Sequence, residues 1–534
     1  MIMKLIQKIK FKRFRRFFNG YRKLKNNNSL DMIAIIKDKL ILEKFSKNRP
    51  MSSHIFGTAI NRSELVLVQY LNHRFLNNTK LNKSILYSLG KPNSAIVFPM
   101  PREWFGVLEE SGLKVGRFRS SCLWTGLMFL FYLYGLGIIG KNILQSISEI
   151  IRPVYAGLGR YVYFDGLAVN NVPNSENENK SRDIISWYRQ WDGREKKLDS
   201  MCHNVQGLEP SMIGTVHVKP LSSTIPPINR ISGLVRYIIW AFKAVFLSLA
   251  DLLRGRWWHA LLLNQAADAA LVDCIAVNRL AREYLYHNSS WVYRPLLTYE
   301  VEAKGSLITF YFYSTNCEGF KRPTGYINPT NGWKKASWPR YLTWNEEQSD
   351  FIKRSVDVYP TIIVVGCIWF SDCDKDFHPA LSKNIAMFDV TPARISWYIE
   401  FVIGFDFYTT EVCAKFNWDI QQASLERGYS VLFKQKRKLG SLSDSRYRDS
   451  CEKLVLEKNV QSVDADISAI RVIEKADIVI SMPFTSTAII AREMNKPSAF
   501  YDPLGLCQKD DRAAHGIPIL QCKSELDAWI IAQE

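Results

Sequence analysis

The amino-acid sequence predicts an α/β protein with two doubly wound domains. Its 534 residues, 47% hydrophobic and 23% charged, exceed what one ordinary hydrophobic core accommodates. Apolar runs of strand length alternate with segments of helical periodicity, a pattern typical of parallel sheets flanked by helices. A segment rich in Pro, Gly, Asn and Trp separates the two halves. We therefore predict a basic arm (1–30), an amino-terminal domain (31–335) with apolar helices near 122–151 and 232–265, and a carboxyl-terminal domain (336–534).

The amino-terminal arm is strongly basic. Residues 1–25 contain ten Lys or Arg and no acidic residue, which is about half of the formal net charge of +19. Ile, Leu and Phe residues are interleaved with these charges, which favours a basic amphipathic helix on an anionic membrane surface over a nucleic-acid contact. A solvated tail is the alternative. The arm lacks the long apolar segment of a secretory signal, so export is not expected.

The first apolar segment, 122–140, contains no charged residue and is long enough to span a bilayer. Apparent strands at 94–101 and 160–167 flank it, and a single crossing would place them on opposite sides of the membrane. We therefore predict a buried or membrane-embedded helix that does not cross.

The second apolar segment, 232–253, is interrupted by Arg236, Lys243 and Asp251. Charges at such intervals favour an amphipathic helix that lies in the plane of a protein or lipid surface.

A G-x-G-x-x-G pattern occurs at Gly135, Gly137 and Gly140, and Asp165 follows 25 residues after the last glycine. In dinucleotide-binding proteins such glycines let the backbone approach a pyrophosphate, and the acid binds a ribose hydroxyl. Here no turn signal precedes the segment, and small residues at this spacing are common in apolar helices. Both interpretations stay open from the sequence.

Strand-like runs occur in both predicted domains. In the first domain the clearest are AIVFPM, YVYFD and SLITFYFYS, and in the second each run ends at a polar, Gly or Pro break. The five runs of the second domain are YPTIIVVG, NIAMFDV, YSVLFK, ADIVISM and PSAFY.

Cysteine and histidine spacing gives no metal signature. The ten cysteines include no C-x-x-C pair, and the eight histidines include no H-E-x-x-H. We predict reduced thiols and no protein-bound metal.

Polar residues follow the predicted strands of the second domain. The carboxyl ends of parallel strands meet at one edge of a sheet, where ligands of doubly wound folds bind. Hydroxyls and free N–H groups at a helix start favour phosphate, lysines neutralise it, and a carboxylate can bind sugar hydroxyls. Singly, each residue is also a common cap, strand exit or turn. Together they predict a nucleotide pocket formed by Asp389, Thr391, Arg394, Lys434, Lys436, Arg437, Thr485, Ser486, Thr487 and Asp502.

Several blocks of the sequence resemble bacterial polysaccharide biosynthesis PFTS-motif proteins, over about residues 90–505. SMPFTSTAIIAREMNKPSAFYDP carries the motif, and YFDGLAVNNVP, LRGRWWHALLLN and IAMFDVTPAR are similar to other blocks of that family. The arrangement is similar to GT-B glycosyltransferases, which implies two Rossmann-like doubly wound domains facing a cleft. The motif segment is also similar to CDP-glycerol phosphotransferases and bacterial sialyltransferases. Where those enzymes carry a His-Pro pair this chain reads FKQKRK, which makes lysines the expected phosphate partners.

The resemblance implies a metal-independent glycosyltransferase. It would move a sugar from a CMP-, UDP- or GDP-linked donor to a surface polysaccharide or lipid-linked glycan at the cytoplasmic face of the inner membrane, with no bound cofactor. Pro483 and Phe484 of the motif join the expected donor-binding residues. If the reaction inverts, a base in the first domain must deprotonate the acceptor hydroxyl, and Asp165 and Glu318 are the candidates because each follows a predicted strand.

Two other functions are carried as alternatives. One is a dinucleotide-dependent oxidoreductase acting on nucleotide sugars, which rests on the glycine pattern. The other is a non-catalytic, membrane-bound assembly protein of a polysaccharide machine, which would bind no nucleotide.

Overall fold

The structure is a computed structural model that describes residues 15–42, 50–91, 93–173, 183–192, 198–289, 293–314, 318–323, 325–326, 329, 331–369, 377–402, 407–435, 439–440 and 442–534. Within these ranges an amino-terminal group of helices precedes an eight-stranded sheet and a six-stranded sheet.

The amino-terminal helices form one continuous core with the first sheet. Gly20 lets two of these helices approach each other closely. A Cβ on Gly20 would lie only 1.9 Å from the Leu86 carbonyl oxygen of the other helix. The helices are α1 (residues 15–26), α2 (Met32–Leu42), α3 (Ser53–Phe56), α4 (Ile60–Leu71), α5 (Thr79–Leu89), α6 (Glu103–Glu110) and α7 (Arg117–Ile151).

The first sheet has the strand order β3-β4-β2-β1-β5-β6-β7-β8 and is parallel except for the β3–β4 pair. Its central strands β1 and β5 are buried along their length, as expected for parallel strands covered on both faces. The strands are β1 (Tyr161–Phe164), β2 (Ser200–His203), β3 (Ser211–Ile213), β4 (Val216–Pro220), β5 (Glu283–His287), β6 (Leu307–Tyr311), β7 (Arg340–Thr343) and β8 (Thr361–Val364).

The helices between these strands include one that is buried on nearly every side, as its apolar sequence requires. This helix is α10 (Trp258–Asp273), and the others are α8 (Ile184–Asp192), α9 (Ile231–Leu253), α11 (Leu296–Ala303), α12 (Asn331–Lys334) and α13 (Glu346–Ser355).

The second sheet is fully parallel, with the order β11-β10-β9-β12-β13-β14. Numbered within the sheet, this is 3-2-1-4-5-6, the order of the dinucleotide-binding doubly wound fold. The strands are β9 (Asn384–Phe388), β10 (Ser430–Lys434), β11 (Val460–Val463), β12 (Ile478–Ser481), β13 (Ser498–Tyr501) and β14 (Ile519–Leu520). The helices are α14 (Ile395–Phe401), α15 (Thr410–Glu426), α16 (Ser445–Leu454), α17 (Ala469–Lys475), α18 (Ser486–Glu493) and α19 (Lys523–Ile531).

The strands predicted at YVYFD, SLITFYFYS, NIAMFDV, YSVLFK, ADIVISM and PSAFY are confirmed. The strand predicted over 94–101 is wrong, because only Ile96 pairs with another residue, Val115, in an isolated bridge. Pro99 and Pro101 have no N–H to donate to a ladder, and the Phe98 N–H is directed to the Ser120 hydroxyl at 3.3 Å.

The strand predicted at YPTIIVVG to open the second domain belongs instead to the first sheet. It is β8, which pairs with β7 from Arg340↔Thr361 to Thr343↔Val364. The chain therefore changes sheets between Val364 and Asn384 rather than at the predicted boundary between residues 335 and 336.

The basic arm is described only from residue 15 onward, and residues 1–14 lie outside the described ranges. In α1 the side chains of Phe17, Tyr21 and Leu24 are buried against the protein. Arg16 Nη1 donates to the Tyr87 hydroxyl at 2.7 Å. These apolar side chains of the arm are thus used for packing on the fold, and the lipid contact predicted for the arm stays a prediction.

The two predicted apolar helices are confirmed as α7 and α9. They run antiparallel, because Tyr132 of α7 donates to the Val245 carbonyl at 3.4 Å and Asn142 donates to the Tyr237 hydroxyl at 3.1 Å. Both pack on α10. The buried residues of α7 recur every three or four positions, at Ser120, Trp124, Met128, Tyr132, Gly135, Ile139, Asn142, Ser146 and Glu149.

Candidate functional site

The switch point of the second sheet lies between β9 and β12, which are neighbours in the sheet but not in the chain. Their pairing aligns Phe388 with Ser481, and the Met482 N–H donates to the Phe388 carbonyl at 2.9 Å. The loops 389–394 and 482–487 therefore leave the sheet side by side. Crevices at such switch points are where doubly wound sheets bind ligands.

The chain turns sharply after β12 at Pro483 and Phe484. The Thr485 N–H donates to the Met482 carbonyl at 3.3 Å, and Phe484 has a φ of 62°. Pro at the second position and a left-handed residue at the third are features of a type II turn, whose third residue is normally Gly or Asn. A bulky side chain in this conformation costs about 1–2 kcal/mol, so other contacts must hold it.

An aromatic cluster supplies these contacts. The Phe484 side chain is buried, and its ring centroid lies 5.0 Å from that of Phe320, 5.7 Å from Phe500 and 6.2 Å from Phe407. Phe320 lies between β6 and β7 in the chain, so the cluster joins the motif to the first half of the molecule. Pro483 and Phe484, both predicted to bind the donor, are buried and fix the shape of this corner.

Three hydroxyl groups form a hydrogen-bonded chain behind the corner. The Thr487 hydroxyl lies 2.8 Å from that of Ser481 and 3.1 Å from that of Thr485. Thr485 in turn donates to the Met482 carbonyl at 2.8 Å. Although Thr485 is the N-cap residue of α18, its side chain therefore does not cap the helix. In α15, α16 and α17 the N-cap side chain does accept a first-turn N–H.

Ser486 is the first residue of α18 and is half-buried. Its hydroxyl makes no hydrogen bond to any other residue that the structure describes. First-turn N–H groups carry the positive end of the helix dipole and need an acceptor when no side chain caps them. This helix start can therefore bind an anionic oxygen, and phosphate oxygens fit it well.

The loop after β9, the strand next to β12, contains Thr391 and Arg394. Arg394 is exposed, with its Nε 3.4 Å from the Ser443 carbonyl, and Thr391 Oγ1 is buried with no hydrogen-bond partner in the described ranges. Asp389 is buried and accepts a hydrogen bond from Tyr447, which anchors the loop to α16. A guanidinium with free N–H groups is a strong phosphate partner.

Lys434, a predicted phosphate partner, is 5% exposed. Its Nζ donates to the carbonyl of Gln435 at 3.2 Å and to that of Ala465 at 2.8 Å. Its ammonium group is thus already hydrogen-bonded inside the fold. Lys436 and Arg437 lie outside the described residues.

Asp502, predicted to bind sugar or ribose hydroxyls, is fully buried after β13. Its carboxylate accepts the N–H of Leu504 at 3.2 Å and the N–H of Cys507 at 2.7 Å. The carboxylate therefore closes the turn that follows the strand.

The equivalent edge of the first sheet forms a cavity of about 480 Å³ that holds Asp165. Asp165 follows β1 directly and is half-buried. Thr224, in the loop after β4, donates its hydroxyl hydrogen to Asp165 Oδ1 at 3.2 Å. Other polar residues from the strand ends that line the cavity are Asn204, Gln206, Ser222 and Ser223.

A second carboxylate, Asp268 of α10, lines the same cavity from its helical side. Asn142 of α7 donates to Asp268 Oδ1 at 3.2 Å. Burial raises the pKa of Asp268 to about 6, and the nearby Lys141 opposes this increase. A carboxyl group with a pKa near neutrality can accept a proton during catalysis and release it again. Sequence reasoning missed Asp268, although a single acid in the apolar stretch 258–272 is itself a signal.

Glu318, the other predicted base, lies elsewhere. Its carboxylate accepts a hydrogen bond from Arg354 Nη2 at 2.5 Å. Arg354 lines a different cavity of about 440 Å³, between α13 and residues 509–518. The structure therefore does not bring Asp165 and Glu318 into one cavity.

The glycine pattern of Gly135, Gly137 and Gly140 lies in the middle of α7. A Cβ on Gly135 would lie 2.7 Å from Leu263 of α10, so this glycine permits close helix packing. A dinucleotide fingerprint requires a strand, a turn and a helix start. The dinucleotide interpretation of these glycines is therefore wrong.

Two doubly wound sheets of the same central strand order, each with polar groups at its carboxyl edge, define a GT-B architecture. Residues 240–530 match the family model described as "Polysaccharide biosynthesis PFTS motif protein". The match covers more than half of the chain, and the protein belongs to this family. The resemblance found in the motif segment is confirmed. A comparison with curated proteins found no match.

Three solved structures illustrate the structural similarities. One, described as trehalose-6-phosphate from E. coli bound with UDP-2-fluoro glucose, is 11% identical, covers 70% of this chain and 91% of that chain, and has a TM-score of 0.35. A variant of the wall teichoic acid polymerase TagF is 9% identical over 77% of this chain and 89% of that chain, with a TM-score of 0.39. S. aureus TarM in complex with fondaparinux, alpha-GlcNAc-glycerol and UDP is 12% identical over 50% of each chain, with a TM-score of 0.28.

Proposed function

We propose that the protein is a glycosyltransferase that moves a sugar from a nucleotide-sugar donor to a glycan acceptor. The observation that carries this proposal is the position of the family motif. Residues 482–487 lie at the switch point of a sheet with the 3-2-1-4-5-6 order, where the uncapped start of α18 and the loop that carries the exposed Arg394 follow neighbouring strands. The family description, polysaccharide biosynthesis, supports a glycan product.

The donor would bind at the second sheet. Its phosphate groups would accept hydrogen bonds from the first turn of α18 and from the Ser486 hydroxyl, and Arg394 would neutralise their charge. The backbone N–H groups of α18 are fixed before the reaction, so they would stabilise the negative charge that develops on the departing nucleoside phosphate.

The acceptor would bind in the cavity of the first sheet. Asp165 would deprotonate the acceptor hydroxyl if the reaction inverts, and the Thr224 hydroxyl would orient the carboxylate. Asp268 would take up or supply a proton in the same cavity. Glu318 is a weaker candidate, because its carboxylate pairs with Arg354 outside this cavity.

A lipid-linked or surface glycan acceptor and a location at the cytoplasmic face of the inner membrane remain part of the proposal. Ile138, Lys141 and Asn142 of the apolar helix α7 line the acceptor cavity, which supports an acceptor that arrives along a membrane surface. The exposed basic residues of the apolar helices, Arg119 of α7 and Lys243 of α9, support the cytoplasmic face, because anionic lipids of that leaflet attract basic segments.

The donor proposal is tested by thermal-shift measurements on the full chain with CMP, CDP, UDP, GDP and NAD. We expect one of the first four nucleotides to raise the melting temperature of the wild type, because a ligand that binds only the folded state stabilises it. Ser486→Ala should reduce this shift. Ser445→Ala is the matched control. Ser445 is exposed and is also the first residue of a helix, but the side chain of the preceding Asp444 already caps that helix.

The nucleotide that binds then directs an activity assay with its sugar derivatives, measured as nucleotide release with and without a glycan acceptor. A shift with NAD alone would contradict the proposal. No shift with any nucleotide would favour a non-catalytic assembly protein and would contradict the proposal.

A further inference from the structure

The long helices α7 and α9 have inverted amphipathicity. A helix on a water-soluble protein normally buries its apolar face and exposes its polar face. On α7 the buried face includes Ser120, Asn142, Ser146 and Glu149. Nine large hydrophobic side chains of the same helix are exposed, among them Phe118 at 81%. The exposed face of α7 is thus more apolar than an aqueous environment favours.

The same inversion occurs on α9. Its buried residues are mostly small or polar, including Gly233, Ser248 and Asp251. Eight large hydrophobic side chains are exposed on the other side, among them Phe242 at 66% and Leu253 at 80%. Since α7 and α9 lie antiparallel on α10, their exposed sides form one apolar surface, which we call the α7–α9 face.

Both helices are long and apolar enough to cross a membrane. However, α7 contacts the protein along most of its length. Trp124 packs on Trp257 at 5.0 Å between ring centroids, and Glu149 accepts a hydrogen bond from Arg279 at 2.6 Å. A helix attached to the fold at both ends and in between cannot also cross a bilayer. The arrangement fits helices that lie in the plane of the interface.

The exposed charged residues of the two helices are all basic. The acidic residues of α7 and α9 are Glu149 and Asp251; both are buried and paired, Glu149 with Arg279 and Asp251 with His259 at 2.7 Å. The charged residues that remain exposed on α7 and α9 are basic, such as Arg119 and Lys243. Cationic side chains beside an apolar surface are the complement of an anionic bilayer. A second copy of the chain would instead bring like charges together.

We propose that the α7–α9 face docks in the plane of an anionic lipid bilayer. The hydrophobic side chains enter the boundary between headgroups and acyl chains, and the basic side chains contact lipid phosphates. This inference does not depend on the proposed glycosyltransferase activity, and it assigns the membrane contact to α7 and α9 rather than to the basic arm.

The test is flotation of the full-length protein with vesicles of phosphatidylcholine alone or mixed with phosphatidylglycerol. We expect the wild type to bind the mixed vesicles and to bind more weakly at high salt, because salt screens the contacts of the basic residues. The double variant Leu130→Ser/Phe242→Ser should bind at least tenfold more weakly. Arg119→Glu/Lys243→Glu should bind at least fivefold more weakly to the mixed vesicles.

The matched control is Leu425→Ser/Leu456→Ser, which removes two exposed hydrophobic side chains, 54% and 82% exposed, from the second half of the chain. It should bind vesicles as the wild type does. All variants change exposed residues, so circular dichroism and melting temperature should report intact folds.

Three results would overturn the proposal. The first is equal vesicle binding by the wild type and the Leu130→Ser/Phe242→Ser variant. The second is loss of binding on deletion of residues 1–14 alone, which would assign the contact to the arm. The third is absence of vesicle binding together with a dimer in light scattering that Leu130→Ser/Phe242→Ser abolishes, which would make the face an interface between two copies.

Discussion

The two sheets share a central strand order, but the polar residues at their carboxyl edges differ in whether they are free to bind a ligand. At the edge of the first sheet, Asp165 and Asp268 line an open cavity of about 480 Å³. At the edge of the second sheet, Lys434 and Asp502 are buried and hydrogen-bonded to the backbone. Among the residues that the structure describes at this edge, the groups that can meet an anion are the start of α18 with Ser486 and the side chain of Arg394.

This difference shows what strand order can and cannot locate. A doubly wound sheet gathers the residues after its strands at one edge, so their neighbourhood follows from topology. Whether a side chain is free to bind a ligand depends on hydrogen-bond partners from other segments. For Lys434 that partner is the carbonyl of Ala465, 31 residues away in the chain.

The largest expected effect tests the first edge. Asp165→Asn should lower the transfer rate by about 10²- to 10⁴-fold, because the general base is lost, while nucleotide binding at the second edge should not change. Glu318→Gln is the control, since the pairing of Glu318 with Arg354 predicts less than a tenfold change. The measurements are nucleotide release with saturating donor and acceptor, and the thermal shift with the nucleotide. Equal losses for both variants would contradict the distinction between the two carboxylates.

The next effect tests how rigid the second edge is. Phe484→Ala should lower the free energy of unfolding by about 3–5 kcal/mol, because a buried aromatic side chain is lost. Phe484→Gly removes the same ring but relieves the left-handed backbone, since glycine adopts positive φ without a steric penalty. We expect the glycine variant to be about 1 kcal/mol more stable than the alanine variant. Guanidinium unfolding measures the stability of the two variants. An alanine variant more stable than the glycine variant would exclude the left-handed conformation at residue 484.

A smaller effect concerns the carboxylate that sequence reasoning missed. The pKa of Asp268 is raised from 3.8 to about 6, so the folded state holds its proton more tightly than the unfolded state. Asp268 therefore does not destabilise the folded state below pH 3.8, where it is protonated in both states. The destabilisation by its buried charge grows as the pH rises from 3.8 toward 6 and is complete above pH 6. Asp268→Asn should therefore stabilise the protein by up to about 3 kcal/mol at pH 8 and by about half as much at pH 5. Chemical denaturation at both pH values tests this, and a gain independent of pH would contradict it.

Much of the fold could be predicted from local sequence. β9, β10, β12 and β13 are short apolar runs buried along almost their whole length, and such runs are readable without tertiary information. β8 was recognised as a strand but assigned to the wrong sheet, because its partner β7 is fixed by long-range pairing. The segment 94–101 has strand composition, but its two prolines leave the backbone with too few donors for a ladder.

The site was predictable to a lesser extent. The motif at residues 483–487 and the acid at Asp165 were recognised because each follows a strand directly. The aromatic cluster around Phe484 was not, since Phe320 and Phe407 are far from it in the chain. Lipid contact was expected of the basic arm and of both apolar segments, and this contact stays a prediction. The structure adds that α1 buries Phe17 and Tyr21 and that the exposed apolar surface lies on α7 and α9.

The central claim is that the start of α18, rather than Lys434, holds the nucleotide phosphate. Ser486→Asp tests it most directly, because a carboxylate at a helix start stabilises the helix by about 0.3–1 kcal/mol but repels a phosphate. We predict that this variant melts slightly higher than the wild type without ligand and loses the nucleotide-induced shift. Ser445→Asp should gain similar stability and keep the shift, and Lys434→Met should also keep it. A Ser486→Asp protein that keeps the full shift, or a Lys434→Met protein that loses it, would contradict the claim.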